Sequence, residues 1–328
     1  MATSNAPREI LIVKPSSLGD VVHTLPATVE LRRAFPESKI RWLVNTEWKP
    51  LLEGLAHIDE AIEFPRREFR GARGLLRIGS WTSDLRKRIN ADLVLDYQGL
   101  LRSAVIAKLC RKPDGHVIGL ADAREGARFF YHQAASTTGC LHAVDRYLAL
   151  TRFVTGLPTN ELEWPLPQGR APQKFAASEK PSFPYVLLHP FARGEGKSLS
   201  SEQVARFCES MAPHRVVIAG RSDQLAPRFD NVTDMLNGTD LHELIWLLRH
   251  ASYVVSVDSG PMHIAAAVTS RLTSIHTWSD PAKVGPYRPE AWVWRGGKLY
   301  QQRDREIPAT HREATNISYL AEFVKSQL

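Results

Sequence analysis

Two rhythms alternate along the chain. Short runs dense in β-branched and apolar residues are followed by longer stretches in which apolar positions recur every three or four residues. In the first half the short runs read "EILIVK", "KIRWLV", "DEAIEF", "DLVLDY" and "GHVIGL". Between and after them lie helical patterns such as "HTLPATVELRRAF", "LLRSAVIAKLC" and "HAVDRYLALTRFVTGL". The last carries Val144, Leu148, Leu150 and Val154 at helical spacing and stops at Gly156 and Pro158. Strands separated by helices in this way predict crossover units on a parallel sheet.

The rhythm then breaks. Residues 165–184, "PLPQGRAPQKFAASEKPSFP", show no periodicity and read as a linker. Alternation resumes with strands "YVLLHP", "RVVIAG", "YVVSVD" and "RLTSIHT" and helices "SSEQVARFCESMA", "LHELIWLLRHA" and "PMHIAAAV". The pattern predicts two α/β domains in tandem, 1–164 and 185–310. Residues 311–328 hold a terminal helix, "ISYLAEFVKSQL", which is expected to be able to pack back on the first domain. A ligand is expected between the domains, at the carboxyl ends of the strands.

Composition narrows the class. With 328 residues, 43% of them hydrophobic, the chain can fill two cores. Its apolar stretches fall short of the ~18 residues that span a bilayer. The first ten residues lack the hydrophobic region of a signal peptide, so the expected location is the cytoplasm. Cys110, Cys140 and Cys208 are odd in number and in no metal-ligand spacing. They read as buried apolar residues in a reducing compartment; neither a metal nor a cofactor is expected.

The net charge of +7 favours an anionic partner. Arg66, Arg67, Arg70 and Arg73 cluster in "FPRREFRGARGL" against the single Glu68, with "DLRKRI" close behind. No RNA-binding aromatic signature accompanies them, so nucleic acid is not the expected partner.

Three loops carry candidate chemistry. In "VKPSSLGDVVHTLPA", residues 13–27, a strand enters a short polar turn with one glycine, Gly19, and then a carboxylate, Asp20. A phosphate-binding turn offers donors at that point. Asp20 instead puts a negative charge at the mouth of the first crossover, where a plain helix cap is one reading, with Gly19 expected to let the chain turn tightly. In "YVVSVDSGPMHIAAAV" a strand ends at Asp258, and Ser259-Gly260 lead into a helix with Pro261 at its start. Backbone N–H groups at that helix start suit a diphosphate, with His263 as a further donor and Asp258 expected to hold the turn's amides. An ordinary capped crossover helix is the alternative. Lys197, in "LLHPFARGEGKSLSSEQ", can neutralise a diphosphate; Asp223, in "IAGRSDQ", can accept from a ribose hydroxyl.

"LIVKPSSLGDVVHTLPA", "DYQGLLRSA" at 96–104 and "SVDSGPMHIAAA", in this order, together resemble the family 9 glycosyltransferases over nearly the whole chain. "DxQGLxRSA" and "ADAREGARFFY", residues 121–131, resemble a heptosyltransferase branch of that family. The resemblance implies an α/β GT-B fold, with two facing Rossmann-like domains, parallel sheets and an interdomain cleft. The acceptor would lie in the first domain and the nucleotide sugar in the second, with no metal. It implies inverting transfer of heptose from ADP-heptose to a Kdo-lipid A type acceptor. Such an anionic, lipid-linked acceptor and a basic surface imply peripheral contact with the cytoplasmic face of the inner membrane.

By motif, the resemblance makes Asp20 the general base and sets Lys197 against the donor phosphates and Asp223 near the ribose. Asp258, Ser259, Gly260 and His263 match the donor-binding turn. Arg66, Arg67, Arg70 and Arg124 fall where basic acceptor contacts lie, and Ser17, Gly19, Gln98 and Arg102 are assigned to the same side. Two loops depart from the family pattern. The lysine loop reads "HPFARGEGKSLS", with Phe191 and Ala192 in place of small hydroxyl residues and no tryptophan after the lysine. The turn before "DP", which holds a glycine in the family, reads "TWSDP" at 277–281. Three other readings stay open: a family member with another nucleotide sugar and surface-glycan acceptor, a sugar-nucleotide epimerase, and a non-catalytic nucleotide-binding module. A dinucleotide-dependent oxidoreductase is disfavoured, because no G-x-G-x-x-G follows either opening strand.

Overall fold

The structure is a computed structural model that describes residues 6–69, 71–158, 161–175, 181, 183–302, 307 and 316–328, with residues 71–76 described by their backbone alone. The chain divides into two units, 1–167 and 168–328.

The first unit runs β1 (Glu9–Val13), α1 (Leu18–Ala34), β2 (Lys39–Asn45), β3 (Glu60–Phe64), α2 (Gly71–Arg88), β4 (Ala91–Asp96), α3 (Leu101–Cys110), β5 (Arg111–Leu120), β6 (Gln133–Ala135) and α4 (Ala143–Thr155). Its strands pair in parallel in the order β3-β2-β1-β4-β5-β6. Successive strand residues point to opposite faces, yet Ile10, Leu11, Ile12 and Val13 of β1 are all fully buried, so both faces of this sheet are covered. The strand order reverses between β1 and β4, which makes the carboxyl ends of these two strands the topological switch point of the unit.

One expectation is corrected at β1. The helix starts at Leu18, so Gly19 and Asp20 lie in the first turn of α1. Gly19 is buried inside that turn and supplies no separate tight bend. Lys14–Ser17 connect β1 to α1, and the Asn45 amide at the end of β2 donates to the Pro15 carbonyl at 3.0 Å.

The second unit runs β7 (Val186–His189), α5 (Ser201–Met211), β8 (Val216–Gly220), β9 (Val232–Leu236), α6 (Leu241–His250), β10 (Tyr253–Val257), α7 (Gly260–Val268), β11 (Leu272–Ile275), α8 (Pro281–Val284), β12 (Trp292–Arg295), β13 (Lys298–Gln301) and α9 (Ile317–Ser326). The order is β13-β12-β11-β10-β7-β8-β9, parallel except for the β12–β13 hairpin. That hairpin turns on Gly296 and Gly297, both at positive φ, as a two-residue turn requires. Here the switch point lies between β7 and β10.

Residues expected as linker are partly built into this unit. Phe175 is buried, with its ring 5.8 Å from Tyr185 and 5.9 Å from Trp246. Gly169, at φ +81°, lies so close to α6 that a Cβ would meet the Trp246 amide nitrogen at 2.6 Å. Cys110 and Cys208 are buried as expected, whereas Cys140 is only half-buried. No helix among the described residues is long and apolar enough to cross a membrane.

The terminal helix α9 is part of the second unit's core. Its stripe Ile317, Leu320, Ala321 and Val324 is buried with Val204, Phe207, Cys208 and Met211 of α5. Truncating fully buried Leu320 removes side-chain volume from this seam. Leu320→Ala is therefore expected to cost about 3 kcal/mol, read as a lower urea midpoint of the second unit. An unchanged midpoint would show that α9 is not a core helix.

Candidate functional site

At the first unit's switch point, Asp20 is held by four donors. The Ser17 amide and Oγ donate to Oδ2 at 3.0 and 2.8 Å. The Tyr147 hydroxyl donates to Oδ1 at 2.6 Å, and the Lys14 ammonium lies 3.6 Å from the same oxygen. Tyr147 reaches it because α4 packs along α1. Lys14 is buried; it donates to the Tyr97 carbonyl at 3.1 Å and sits 4.6 Å from the centre of the Tyr147 ring. The Asp20 side chain itself remains 35% exposed, which leaves it open to a ligand.

Charge explains the protonation states. Burial acts to raise the pKa of Asp20, but Lys14, the Tyr147 hydroxyl and the Ser17 amide outweigh it and hold the carboxyl below the usual range. Burial lowers the pKa of Lys14, while Asp20 and Asp96 work to keep it charged. Burial and the neighbouring Asp20 charge push the Tyr147 phenol well up, so it stays a donor. Asp20 is thus a carboxylate at neutral pH with fixed orientation.

The segment "DYQGLLRSA" supports this turn from β4. Fully buried Asp96 accepts from the Gln98 and Gly99 amides at 2.9 and 3.1 Å and from Ser103 Oγ and Tyr131 OH at 2.8 and 2.7 Å. Burial, partly offset by these donors, pushes its pKa up. The loop it shapes turns at Gly99, φ +69°, and presents Gln98 Oε1 to the Ser16 amide at 3.3 Å. The Arg124 amide donates to the Gly99 carbonyl at 2.8 Å, so the loop after β5 joins the same group.

Because the strands are parallel, the loops after β3, β1, β4 and β5 share one edge of the sheet. Exposed Arg66 and Arg67 follow β3, two strands from β1 and so roughly 10 Å away. Arg67 is paired with Glu47 at 2.7 Å. Exposed Arg102 and Arg124 follow β4 and β5 on the other side. Arg70 lies outside the described residues. Along the edge, Asp20 therefore stands between basic groups.

In the second unit, the ends of β7 and β10 carry the other candidates. Lys197 donates to Asp258 Oδ2 at 2.7 Å and lies 5.8 Å from the Trp278 ring centre. Its loop is closed by Ser198 Oγ against the Ala192 amide at 3.0 Å and stitched to the turn after β11 by Thr277 Oγ1, which donates to the Gly196 carbonyl at 2.6 Å. Phe191 is buried in the unit's core, so it anchors the loop instead of meeting a ligand. Asp258, expected to hold the turn's amides, commits its carboxylate to Lys197. Burial works to raise the Asp258 pKa, but His276, Lys197 and Ser279 outweigh it and keep it ionised.

Ser259 caps α7 in an extended conformation, its Oγ donating to the Val257 carbonyl at 3.1 Å and lying 3.3 Å from His189 Nδ1. Gly260 opens the helix, and His263 is buried in its first turn. Asp223 is exposed in the loop after β8.

Lys14, Asp96, Tyr147, His189, His276 and Trp278 were not singled out as site residues by sequence. Asp96 and Trp278 sit inside motifs already noted. Tyr147 carries no local signal, since it lies 127 positions from Asp20 and occupies an ordinary helical repeat.

Burial holds the His189 and His276 imidazoles down at about 4, with Asp258 working in the opposite direction at His276. The unfolded chain takes up protons at both as pH falls through about 6.5, while the folded unit resists until about 4. Stability is then complete above pH ~6.5 and is lost on acidification, by at most about 3 kcal/mol per histidine. Urea midpoints of the second unit should fall between pH 7.5 and pH 5; a flat profile would contradict neutral buried imidazoles.

Residues 82–314 match the model of glycosyltransferase family 9 (heptosyltransferase). The lipopolysaccharide heptosyltransferase 1 of Salmonella typhimurium is 29% identical over 299 residues, covering 85% of this chain and 91% of the relative. The protein of the same description from Escherichia coli K12 is 28% identical over 318 residues, covering 87% and 93%. Among solved structures, the E. coli heptosyltransferase WaaC with ADP superposes with a TM-score of 0.78 at 24% identity, covering 98% of this chain and all of that one. The E. coli ADP-heptose lps heptosyltransferase II gives 0.72 at 20%, covering 97% and 98%. The shared architecture is the α/β GT-B fold. With its family model spanning well over half of the sequence, the chain belongs to glycosyltransferase family 9.

Proposed function

We propose that the protein transfers a heptose from ADP-heptose to a Kdo-lipid A type acceptor in lipopolysaccharide core synthesis, with inversion and without a metal. The observation that carries this reading is the oriented, ionised Asp20 at the first unit's switch point, between basic groups that suit an anionic acceptor. The names of the relatives support the donor and the acceptor class. A lipid-linked acceptor also sets the enzyme to work at the cytoplasmic face of the inner membrane.

Asp20 takes the proton of the acceptor hydroxyl as its oxygen attacks the anomeric carbon. A carboxylate held below its usual pKa is a weak base, so the proton moves late, once the attacking oxygen has gained positive character. Fixing the carboxylate in one orientation supplies part of the rate. Arg66, Arg67, Arg70, Arg102 and Arg124 grip acceptor carboxylates and phosphates, preferably in forked pairs, while Ser17, Gly19 and Gln98 shape the turn that receives the sugar.

On the leaving side, Lys197 moves from Asp258 to the diphosphate as it gains charge, and the amide end of α7 at Ser259 and Gly260 adds its dipole. His263 stands in that first turn, and Asp223 takes the ribose.

Asp20→Ala should reduce transfer to below a few per cent of wild type while ADP-heptose still stabilises the protein in a thermal shift assay. Transfer above that level would remove the base assignment. The double variant Arg66→Ala/Arg67→Ala should raise the acceptor KM about tenfold, the loss of one to two charge-assisted contacts, with the donor KM unchanged. An unaltered acceptor KM would make these arginines a solvated surface only.

A further inference from the structure

The turn after β11 places a tryptophan where the donor reading has not yet assigned anything. Trp278 is 66% exposed, although indoles are among the costliest side chains to leave in water. It does not hang from a loose loop. On one side Thr277 is hydrogen-bonded to the Gly196 carbonyl at 2.6 Å. On the other, Asp280 caps α8 by accepting from the Ala282 amide at 3.0 Å. The ring is thus presented by a pinned turn, 5.8 Å from the Lys197 ammonium.

Strand order says which part of a ligand the ring would meet. In the second unit β8, β7, β10 and β11 are successive neighbours, all parallel, so their carboxyl ends form one row. The row carries Asp223 after β8, Lys197 after β7, the Asp258–Gly260 turn after β10 and Trp278 after β11. Three strand spacings separate its ends, roughly 14 Å. A nucleoside diphosphate sugar has the same linear order: ribose, two phosphates, glycosyl ring. With the ribose at Asp223 and the diphosphate at Lys197 and the α7 amides, the next group along the row is the sugar.

We infer that Trp278 is a specificity-determining residue whose indole face packs against the C–H face of the donor's glycosyl group. The inference rests on the proposed donor site and extends it to the sugar end. A sugar ring offers polarised C–H bonds on one face, and the aromatic face is the negative end of the indole quadrupole. Contact buries apolar area on both partners without leaving a hydroxyl unpaired at the ring rim. The neighbouring ammonium of Lys197 keeps the indole beside the phosphate position through the same quadrupole. A glycine in this turn would offer no such surface.

Calorimetric titration of wild type, Trp278→Ala and Trp278→Phe with ADP and with ADP-heptose tests this. Because the side chain is largely exposed, both variants should melt within a degree or two of wild type. Trp278→Ala is expected to weaken ADP-heptose about tenfold while leaving the ADP Kd within twofold; Trp278→Phe should keep most of the ADP-heptose affinity. Equal losses for ADP and ADP-heptose would overturn the inference, since the ring would then serve the base or act only through Lys197. Unchanged affinity for both would overturn it as well. Failure of the donor reading is separately visible, as wild-type protein that binds neither ligand.

Discussion

Parallel pairing is the constraint from which the candidate chemistry follows. Strands that run the same way bring all their carboxyl ends to one edge, and a reversal in strand order opens a gap between two crossover connections at that edge. Each unit does this once, between β1 and β4 and between β7 and β10. The loops at the two gaps are those that hold Asp20 and Gln98 in one unit and Lys197 and Asp258 in the other. Residues scattered over the sequence become neighbours because their strands are neighbours. That row order, more than any single motif, gives each side chain its place relative to the next.

Electrostatics then divides the labour between the units. In the first, a partly exposed carboxylate is surrounded by donors that stabilise its charge, and the exposed cations stand apart from it on other loops. In the second, the lysine is neutralised by a buried aspartate, and the nearby imidazoles are held neutral by burial.

The sequence made much of this legible. Each short run read as a strand, from "EILIVK" to "RLTSIHT", is a strand of one of the two sheets, and the unbroken apolar runs among them suit burial on both faces. Three-residue β6, the edge strand β9 with Thr233 and Asp234, and the β12–β13 hairpin escaped, being too short or too mixed in polarity to show a period. Asp20, Lys197 and the Asp258 turn were legible because each sits in a strand-to-helix loop. Their partners were not. Lys14 reads as the polar end of a strand, and Tyr147 as one more position of an amphipathic helix; the turn after β1 brings Lys14 to Asp20, and packing of α4 on α1 brings Tyr147. The destination of α9 was hidden for a related reason, since its apolar stripe states that it must be covered but not by which surface.

The bond from Tyr147 to Asp20 also orders events in time. β1, the turn and the carboxylate are synthesised first, and at that stage Ser17 and Lys14 are the partners already at hand. The phenol arrives 127 residues later, on the last helix of the unit. A chain still emerging from the ribosome therefore carries Asp20 without its final clamp, and the carboxylate reaches its set orientation only when α4 docks. Completion of the first unit and fixing of its carboxylate are the same event.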